Sequence, residues 1–407
     1  MNLADLWRKV LRLESEVQQD GRRLTRRDLR ERFKLGERDA RFLYECLKNR
    51  QIIGGKDASA TARTADNLKN TKADLAASQR EIVRLQRKVE LLSDLREQHL
   101  DIPRMLLPGA GKKGEVIATA VMSDAHFDEH VVPAEIDFVN GYDREVAGAR
   151  LEKYYRSIVR LGRDYCGGVT IAGLVHPLAG DLVSGIIHDE LKASNCFPMS
   201  ETLLHYSTKI ASGMLMLLDF YKEIFVPCVV GNHGRFTPHM VHKGAVQDNY
   251  DYLLYNMIAR ELQGEKHIKF FIPLAPDAIY PVYGTKYCLT HGNQFRGGSG
   301  WMGPLGPVMR GDVKKKGRQA AVGKPYDIMV CGHFHSQHTL GGCIMSGSMV
   351  GYNEYASNGN FPYEQPQQPF WLTDPEHGVT LSAPIHCKCD DEPWEKVLNT
   401  CELGNNG

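Results

Sequence analysis

The chain has 407 residues, 42% of them hydrophobic and 24% charged, with 50 Lys and Arg against 49 Asp and Glu. That apolar share supports a sizeable core, which excludes a disordered chain. No stretch approaches the roughly 20 apolar residues of a membrane span. The opening MNLADLWRKV carries no apolar leader, and the ten cysteines are scattered without a framework, so a cytoplasmic protein without membrane attachment or disulfide scaffold is expected.

The balanced total hides an asymmetry. Residues 1–113 hold 26 Lys and Arg against 17 Asp and Glu, a net of +9, and the remainder holds 24 against 32, a net of −8. A basic appendage on an acidic body has the profile of a tethered nucleic-acid grip.

In chain order, residues 1–53 read as a helical module. Leu3, Leu6, Val10 and Leu13 recur at helical spacing, Thr25 offers an N-cap to a second helix ending at Phe33, and a break at Lys34-Leu35-Gly36 leads into a third over Glu37–Arg50. The pattern predicts a helix-turn-helix or winged-helix unit whose last helix presents Arg38, Arg41, Lys48 and Arg50 to DNA; a protein-binding helical pair is the alternative. Residues 54–113 predict a linker and a short coiled coil. Leu68, Leu75, Ile82 and Val89 lie seven apart, with Leu85 and Leu92 three beyond the last two. Self-association through residues 63–100, as a dimer or higher, is expected, unless the stripe packs on the chain's own body.

Residues 114–385 alternate strand-like runs (Val116–Met122, Val169–Val175, Ile224–Val230, Lys286–Thr290, Tyr326–Cys331) with amphipathic helices over 144–163, 201–221 and 247–263. A Gly-, Arg- and Lys-rich stretch, Asn293–Gly323, reads as a long functional loop whose Arg296, Arg310, Lys314 and Arg318 suit a polyanionic substrate. Residues 386–407 read as a loose tail; Cys387 and Cys389 lack the spacing of a metal clip. The remaining histidines near the runs, His176 among them, read as surface or supporting groups.

Five short motifs follow the strand-like runs: Asp124-Ala125-His126, Gly180-Asp181, Gly231-Asn232-His233, Thr290-His291-Gly292 and Gly332-His333-Phe334-His335. Loops at the carboxyl ends of strands can converge from distant parts of a sequence. Together they offer two carboxylates, one amide oxygen and five imidazoles, one His more than two metal ions need. In order and content they resemble the calcineurin-like metallophosphoesterase superfamily over residues 115–350, in particular its phage and prophage members and the nuclease subunit of double-strand-break repair complexes.

The resemblance implies an α/β fold of two facing mixed β-sheets flanked by helices, a four-layer sandwich, here with an N-terminal helical appendage. It implies two divalent ions bridged by Asp181, one completed by Asp124, His126 and His335 and the other by Asn232, His291 and His333. Imidazole and oxygen donors without thiolate favour manganese, with iron, zinc or magnesium as alternatives. Two such cations roughly 3.5–4 Å apart neutralise a phosphoryl group during in-line displacement. His233 is the surplus imidazole, expected to act as the general acid. Many relatives follow this His with an acidic residue; here Gly234-Arg235 follows, which leaves the partner of His233 open and makes Arg235 a candidate phosphate clamp. His333 and His335, two apart on an extended segment, are expected to face one side, with Phe334 turned into apolar packing. The expected activity is a metal-dependent phosphodiesterase acting on nucleic acid, a DNA nuclease with exonuclease action favoured. A protein or nucleotide phosphatase, and a DNA-binding assembly protein with a vestigial core, are the alternatives.

Overall fold

The computed structural model describes residues 3–53, 103–107, 109–187, 195–296, 303, 305–390 and 392. The chain divides into two compact units, Met1–His99 and Leu100–Gly407. The heptads expected at 63–100, and the linker expected before them, lie outside the described residues.

The first unit contains α1 (Leu3–Gln19), α2 (Arg26–Phe33) and α3 (Glu37–Ile53). Val10, Val17, Leu24, Leu29, Ala40 and Leu47 form its core. Thr25 caps α2 as expected: its hydroxyl accepts from the Asp28 amide, and the Asp28 side chain accepts from the Thr25 amide. The α2–α3 turn is made by Lys34 in a left-handed conformation (φ 52°) rather than by Gly36. Arg38, Arg41 and Lys48 are exposed on α3. Arg50 falls in the same helix, its side chain outside the described residues.

The second unit begins earlier than the expected 114. Met105 is buried, its carbonyl accepts from the Tyr283 amide, and Arg104 pairs with Glu115 at 2.9 Å. Its strands are β1 (Glu115–Ala120), β2 (Thr170–Val175), β3 (Ile224–Pro227), β4 (Ile268–Phe271), β5 (Asp277–Val282), β6 (Thr285–Thr290), β7 (Ile328–Cys331), β8 (His338–Leu340), β9 (Cys343–Met345), β10 (Gln367–Asp374) and β11 (Gly378–His386). Its helices are α4 (Arg144–Arg160), α5 (Met199–Leu218), α6 (Tyr250–Glu261), α7 (Leu305–Ala321) and α8 (Glu354–Asn358). One sheet runs β11-β10-β1-β2-β3-β4 and the other β5-β6-β7-β9-β8. Each mixes parallel neighbours, such as β1 with β2 and β6 with β7, with antiparallel ones, such as β1 with β10 and β5 with β6.

Alternation along the strands builds the layers. Ile117, Val175 and Phe225 of the first sheet meet Tyr287, Leu289, Val330 and Ile344 of the second in one core. On the first sheet's other face, Val116, Ala118, Leu174 and Val226 pack with Leu151, Tyr206, Ile210 and Leu254 of α4, α5 and α6. On the second sheet's other face, Cys288, Met329 and Cys343 pack with Val308 of α7. This is the expected sandwich of two mixed sheets between helices. No helix among the described residues is long and apolar enough to cross a membrane, and the nine described cysteines are unbridged.

Two expectations are corrected. The long loop at Asn293–Gly323 contains α7, and of the expected tail the described residues 387–390 and 392 pack on the body: Cys387 is fully buried, and Glu392 forms a buried bidentate pair with Arg150 at 2.7 Å.

His176 is also fully buried, its Nδ1 donating to the Ala120 carbonyl at 2.8 Å. Burial pushes its imidazole down to about 4 from 6.5, against the Ala120 carbonyl, which holds it up. Between those values the unfolded chain binds the extra proton, so stability rises with pH across the window and is lost as pH falls from 6.5 through 4. This one group should cost about 3 kcal/mol by pH 4. Urea unfolding from pH 7 to pH 4 checks it: His176→Gln, which keeps a donor and does not titrate, should flatten that part of the profile, and an unchanged profile would rule the assignment out.

Candidate metal centre

The sheets deliver the five motifs to one place. Beyond β1, Met122 bridges in parallel to Leu178, and Leu178 to Cys228, so the first sheet continues past His176-Pro177 and Gly180-Asp181 emerges between the other two loops. The loops then bond to one another. The Asp124 amide donates to the Gly180 carbonyl at 3.0 Å, His126 to Asp181 at 3.2 Å, Gly332 to His291 at 2.9 Å, and Met349 to Asp124 at 3.1 Å. A Cβ on Gly231 would run into the Asp181 carboxylate, so close approach of two loops is why glycine stands there.

Two groups of donors result. Ligand atoms of Asp124, His126 and His335 lie within 4.8 Å of one another, and so do those of Asp181, His291 and His333. Asn232 joins the second group, its Oδ1 3.2 Å from His291 Nε2. The His233 ring stands edge-on to His126, 4.8 Å between centroids. All eight expected side chains are therefore brought together, with His333 and His335 in different groups. The backbone reason differs from the one expected: His333 (φ 72°) and His335 (φ 50°) are left-handed rather than extended, as are Asp124 (50°), His126 (45°) and Asp181 (51°). Five of the ten described non-glycine residues of positive φ thus lie in this site; each costs about 1–3 kcal/mol, and the bonds between loops hold them. Phe334 packs on the apolar cluster under α7, as expected.

The electrostatics ask for positive charge. Asp124 and Asp181 are 0% and 1% exposed. Burial alone would raise both carboxyls, but the imidazoles around them win: His335 holds Asp124 below its usual range, and His291 with His233 holds Asp181 far below it. Burial lowers His291 while Asp181, 2.8 Å away, raises it more, to about 10. Partial burial and then the neighbouring His291 push His333 down to about 4. Nδ1 of His291 donates to the Ala179 carbonyl at 2.9 Å, so its Nε2 faces the site. Nε2 of His126 is buried without a hydrogen-bond partner. A buried imidazole nitrogen with no proton partner, aimed into a cage holding two carboxylates, is what a divalent cation satisfies. Asp124, His126 and His335 would hold one ion, and Asp181, Asn232, His291 and His333 a second.

The supporting residues were not legible in the motifs. Asp251 is fully buried and accepts the amides of Asp181 (2.9 Å), Gly231 (2.9 Å) and Leu182 (3.1 Å), locking the second and third motifs together. Asn249, the N-cap of α6, accepts from the Asp251 amide at 2.8 Å and donates to the Gly231 carbonyl at 2.8 Å. Ser184 Oγ lies 3.1 Å from His126 Nδ1 and 3.3 Å from Glu129, which Asn353 holds at 2.7 Å. The Ser184 carbonyl accepts from His233 Nδ1 at 3.0 Å, which supplies the partner left open by Gly234-Arg235.

The expected substrate cations fare differently. Arg235 is committed to its own loop, donating to the carbonyls of Thr237 (2.9 Å), Asn232 (3.2 Å) and Pro238 (2.9 Å), so it braces the turn rather than clamping phosphate. Arg318 pairs with Asp277 at 2.6 Å beside the buried pair of Lys315 with the same carboxylate, and so anchors α7. Arg310 and Lys314 are exposed on α7, and Arg296 is exposed five residues after His291.

No family model matches this chain, and no curated protein does. Among solved structures, a conserved uncharacterized protein from Streptococcus pneumoniae TIGR4, a predicted phosphoesterase, is 15% identical, with 66% of this chain and 97% of that one covered and a TM-score of 0.25. A candidate 5′-nucleotidase from Staphylococcus aureus, solved with α-ketoglutarate, is 13% identical over 71% of this chain and 58% of that one, with a TM-score of 0.28. Likeness this low says nothing of function.

Asp181→Asn should empty the second group and loosen the first, because the lost charge offsets both His291 and the cation. Elemental analysis beside turnover should show less bound metal and a loss exceeding the roughly 10–100-fold typical of outer-shell changes. Retention of two ions at near-normal rates would refute the placement.

Proposed function

We propose that the chain is a metal-dependent phosphoesterase using two divalent ions, manganese favoured, and that its substrate is a phosphodiester of nucleic acid, cleaved as a DNA exonuclease. The observation that carries the first part is the pairing of two three-residue donor groups with a fifth imidazole, His233, whose backbone amide is bonded to Asp181 at 2.7 Å. When bound, the ions would supply charge neutralisation for the phosphoryl oxygens and a nucleophile at neutral pH. The chain's own residues do the rest. Asn232, His233, His333 and His335 are half-buried while Asp124, His126, Asp181 and His291 are buried, so a substrate meets the site from the side of the former. His233, with Nδ1 committed to the Ser184 carbonyl, gives the leaving oxygen its proton from Nε2.

Two features support nucleic acid. The first 113 residues carry a net +9, and Arg38, Arg41 and Lys48 are exposed on α3. Near the metal loops, Tyr355, Phe361 and Tyr363 are 77%, 48% and 50% exposed. Their segment is fastened at both ends to those loops, through Asn353 on Glu129 and through the Gln337 amide on Glu364. Exposed rings offer stacking surface to unpaired bases, at about 1–3 kcal/mol per base.

With manganese, the protein should cleave single-stranded DNA and bis(p-nitrophenyl) phosphate faster than p-nitrophenyl phosphate. A preference for the monoester would replace the nuclease reading with a phosphatase. Deleting residues 1–99, which spares the packed Met105 region, should leave hydrolysis of the small diester intact while weakening DNA binding. The slope of log affinity against log salt should become shallower by about 0.9 for each phosphate that the arm had neutralised. Light scattering on the same pair should show a smaller assembly if residues 63–100 pair between chains. Equal affinity and slope in both forms would remove the basic arm from DNA recognition.

A further inference from the structure

We propose that Ser184-Gly185, at the end of the loop that carries Asp181, is the positioning element that aims His233; the inference rests on the proton-donating role of His233 in the proposed reaction. Ser184 is fully buried, and three of its groups are committed. Its amide donates to Asp128 at 2.6 Å, its hydroxyl lies 3.1 Å from His126 Nδ1, and its carbonyl takes the Nδ1 proton of His233 at 3.0 Å. A carbonyl only accepts, so this bond fixes the tautomer and turns Nε2 toward the leaving group. Gly185 follows with φ +70°, and a Cβ there would run into the His233 carbonyl. The backbone of the Gly-Asn-His turn therefore rests on Gly185 while the ring hangs from Ser184. Asn195 steadies the arrangement, its Nδ2 donating to the Gly185 carbonyl at 2.7 Å.

Two jobs are thus separated on adjacent residues. The Ser184 hydroxyl serves His126 and the first donor group; the Ser184 carbonyl and the bare Gly185 serve the acid. In the step concerned, water gives up one proton to solvent as its oxygen forms the new bond to phosphorus, and the bond to the leaving oxygen breaks with its electron pair on that oxygen. His233 Nε2 delivers the proton that this oxygen takes up. Misaiming the ring leaves the charges in place and removes only that proton transfer.

The test uses the full-length, manganese-loaded protein and aryl phosphodiesters spanning good and poor leaving groups. Gly185→Ala should keep its metal and its KM. Its kcat should fall about 10²-fold for poor leaving groups, the usual penalty of an ångström-scale misplacement, and little for p-nitrophenolate. In a His233→Ala background the same substitution should cost nothing more, because the group it misaims is already gone. Ser184→Ala keeps the carbonyl and should lower metal affinity while preserving the parental leaving-group dependence. Multiplying losses in the double variant, or a parental leaving-group slope in Gly185→Ala, would overturn the assignment. If thermal unfolding shows that Gly185→Ala does not fold, Asn195→Ala carries the test, with a smaller loss of the same leaving-group pattern expected and a uniform loss overturning it. A parent protein that hydrolyses none of the esters with any divalent metal overturns the phosphoesterase reading itself, and with it this one.

Discussion

Two carboxylates with almost no exposure to water, Asp124 and Asp181, impose the design of the second unit. An unpaired buried charge costs several kcal/mol, so the chain must bring positive charge or a cation to them from elsewhere. It does so with imidazoles carried on loops after β3, β6 and β7, and it can do so only because two sheets stack face to face and end at the same edge. The left-handed residues follow from the same demand. A loop that must turn a ligand inward within two to six residues of its strand has few conformations to choose from, and Asp124, His126, Asp181, His333 and His335 take the sparsely populated one.

The helical layer contributes more than cover. Asp251, in the first turn of α6, takes three backbone amides from two metal-bearing loops. Burial and the neighbouring Asp181 push its carboxyl up to about 7, while the amides hold it down. Its position near the positive end of the helix is favourable for an anion. The helix thus acts as a template: it fixes the spacing of Asp181 and Asn232 through backbone rather than through their side chains, leaving those atoms for ligands.

What could be read in the sequence had a local signature. Five of the strands announced themselves as apolar runs, and four of the motifs followed one directly, so the donor set was visible; the sandwich was legible only through the resemblance that those motifs carry. Asp251, Asn249, Glu129 and Ser184 had none, since a single polar residue that reaches a loop some 20 to 70 positions away leaves no spacing to recognise. The failure at α7 has a different cause. Its sequence holds Pro307, Gly311 and Gly317 and lacks an apolar stripe. The face it buries is Val308, Asp312, Lys315 and Gln319, at helical spacing but mostly polar, and Lys315, Arg318 and Gln319 converge on Asp277. A helix held by a buried charge cluster reads, residue by residue, as a basic loop. The expected roles of Arg235 and Arg318 failed together for a related reason: charge in a sequence does not say whether a carbonyl or carboxylate of the chain itself has already claimed it.

The chain beyond β11 belongs to the same logic. Arg150 on α4 is fully buried and satisfied on every side: by Glu392 through two bonds of 2.7 Å, by Asn140 at 2.7 Å, and by the Met349 and Val350 carbonyls at 3.1 and 2.8 Å. Met349 in turn donates its amide to the Asp124 carbonyl. Glu392, far along the chain from Asp124, is therefore joined through Arg150 and Met349 to the backbone that carries it. Removing one member of such a buried pair leaves the other charge without a partner, at about 3–5 kcal/mol. That penalty would fall on the segment that supports Asp124, so the ordering of this C-terminal stretch and the integrity of the first donor group are linked through one guanidinium.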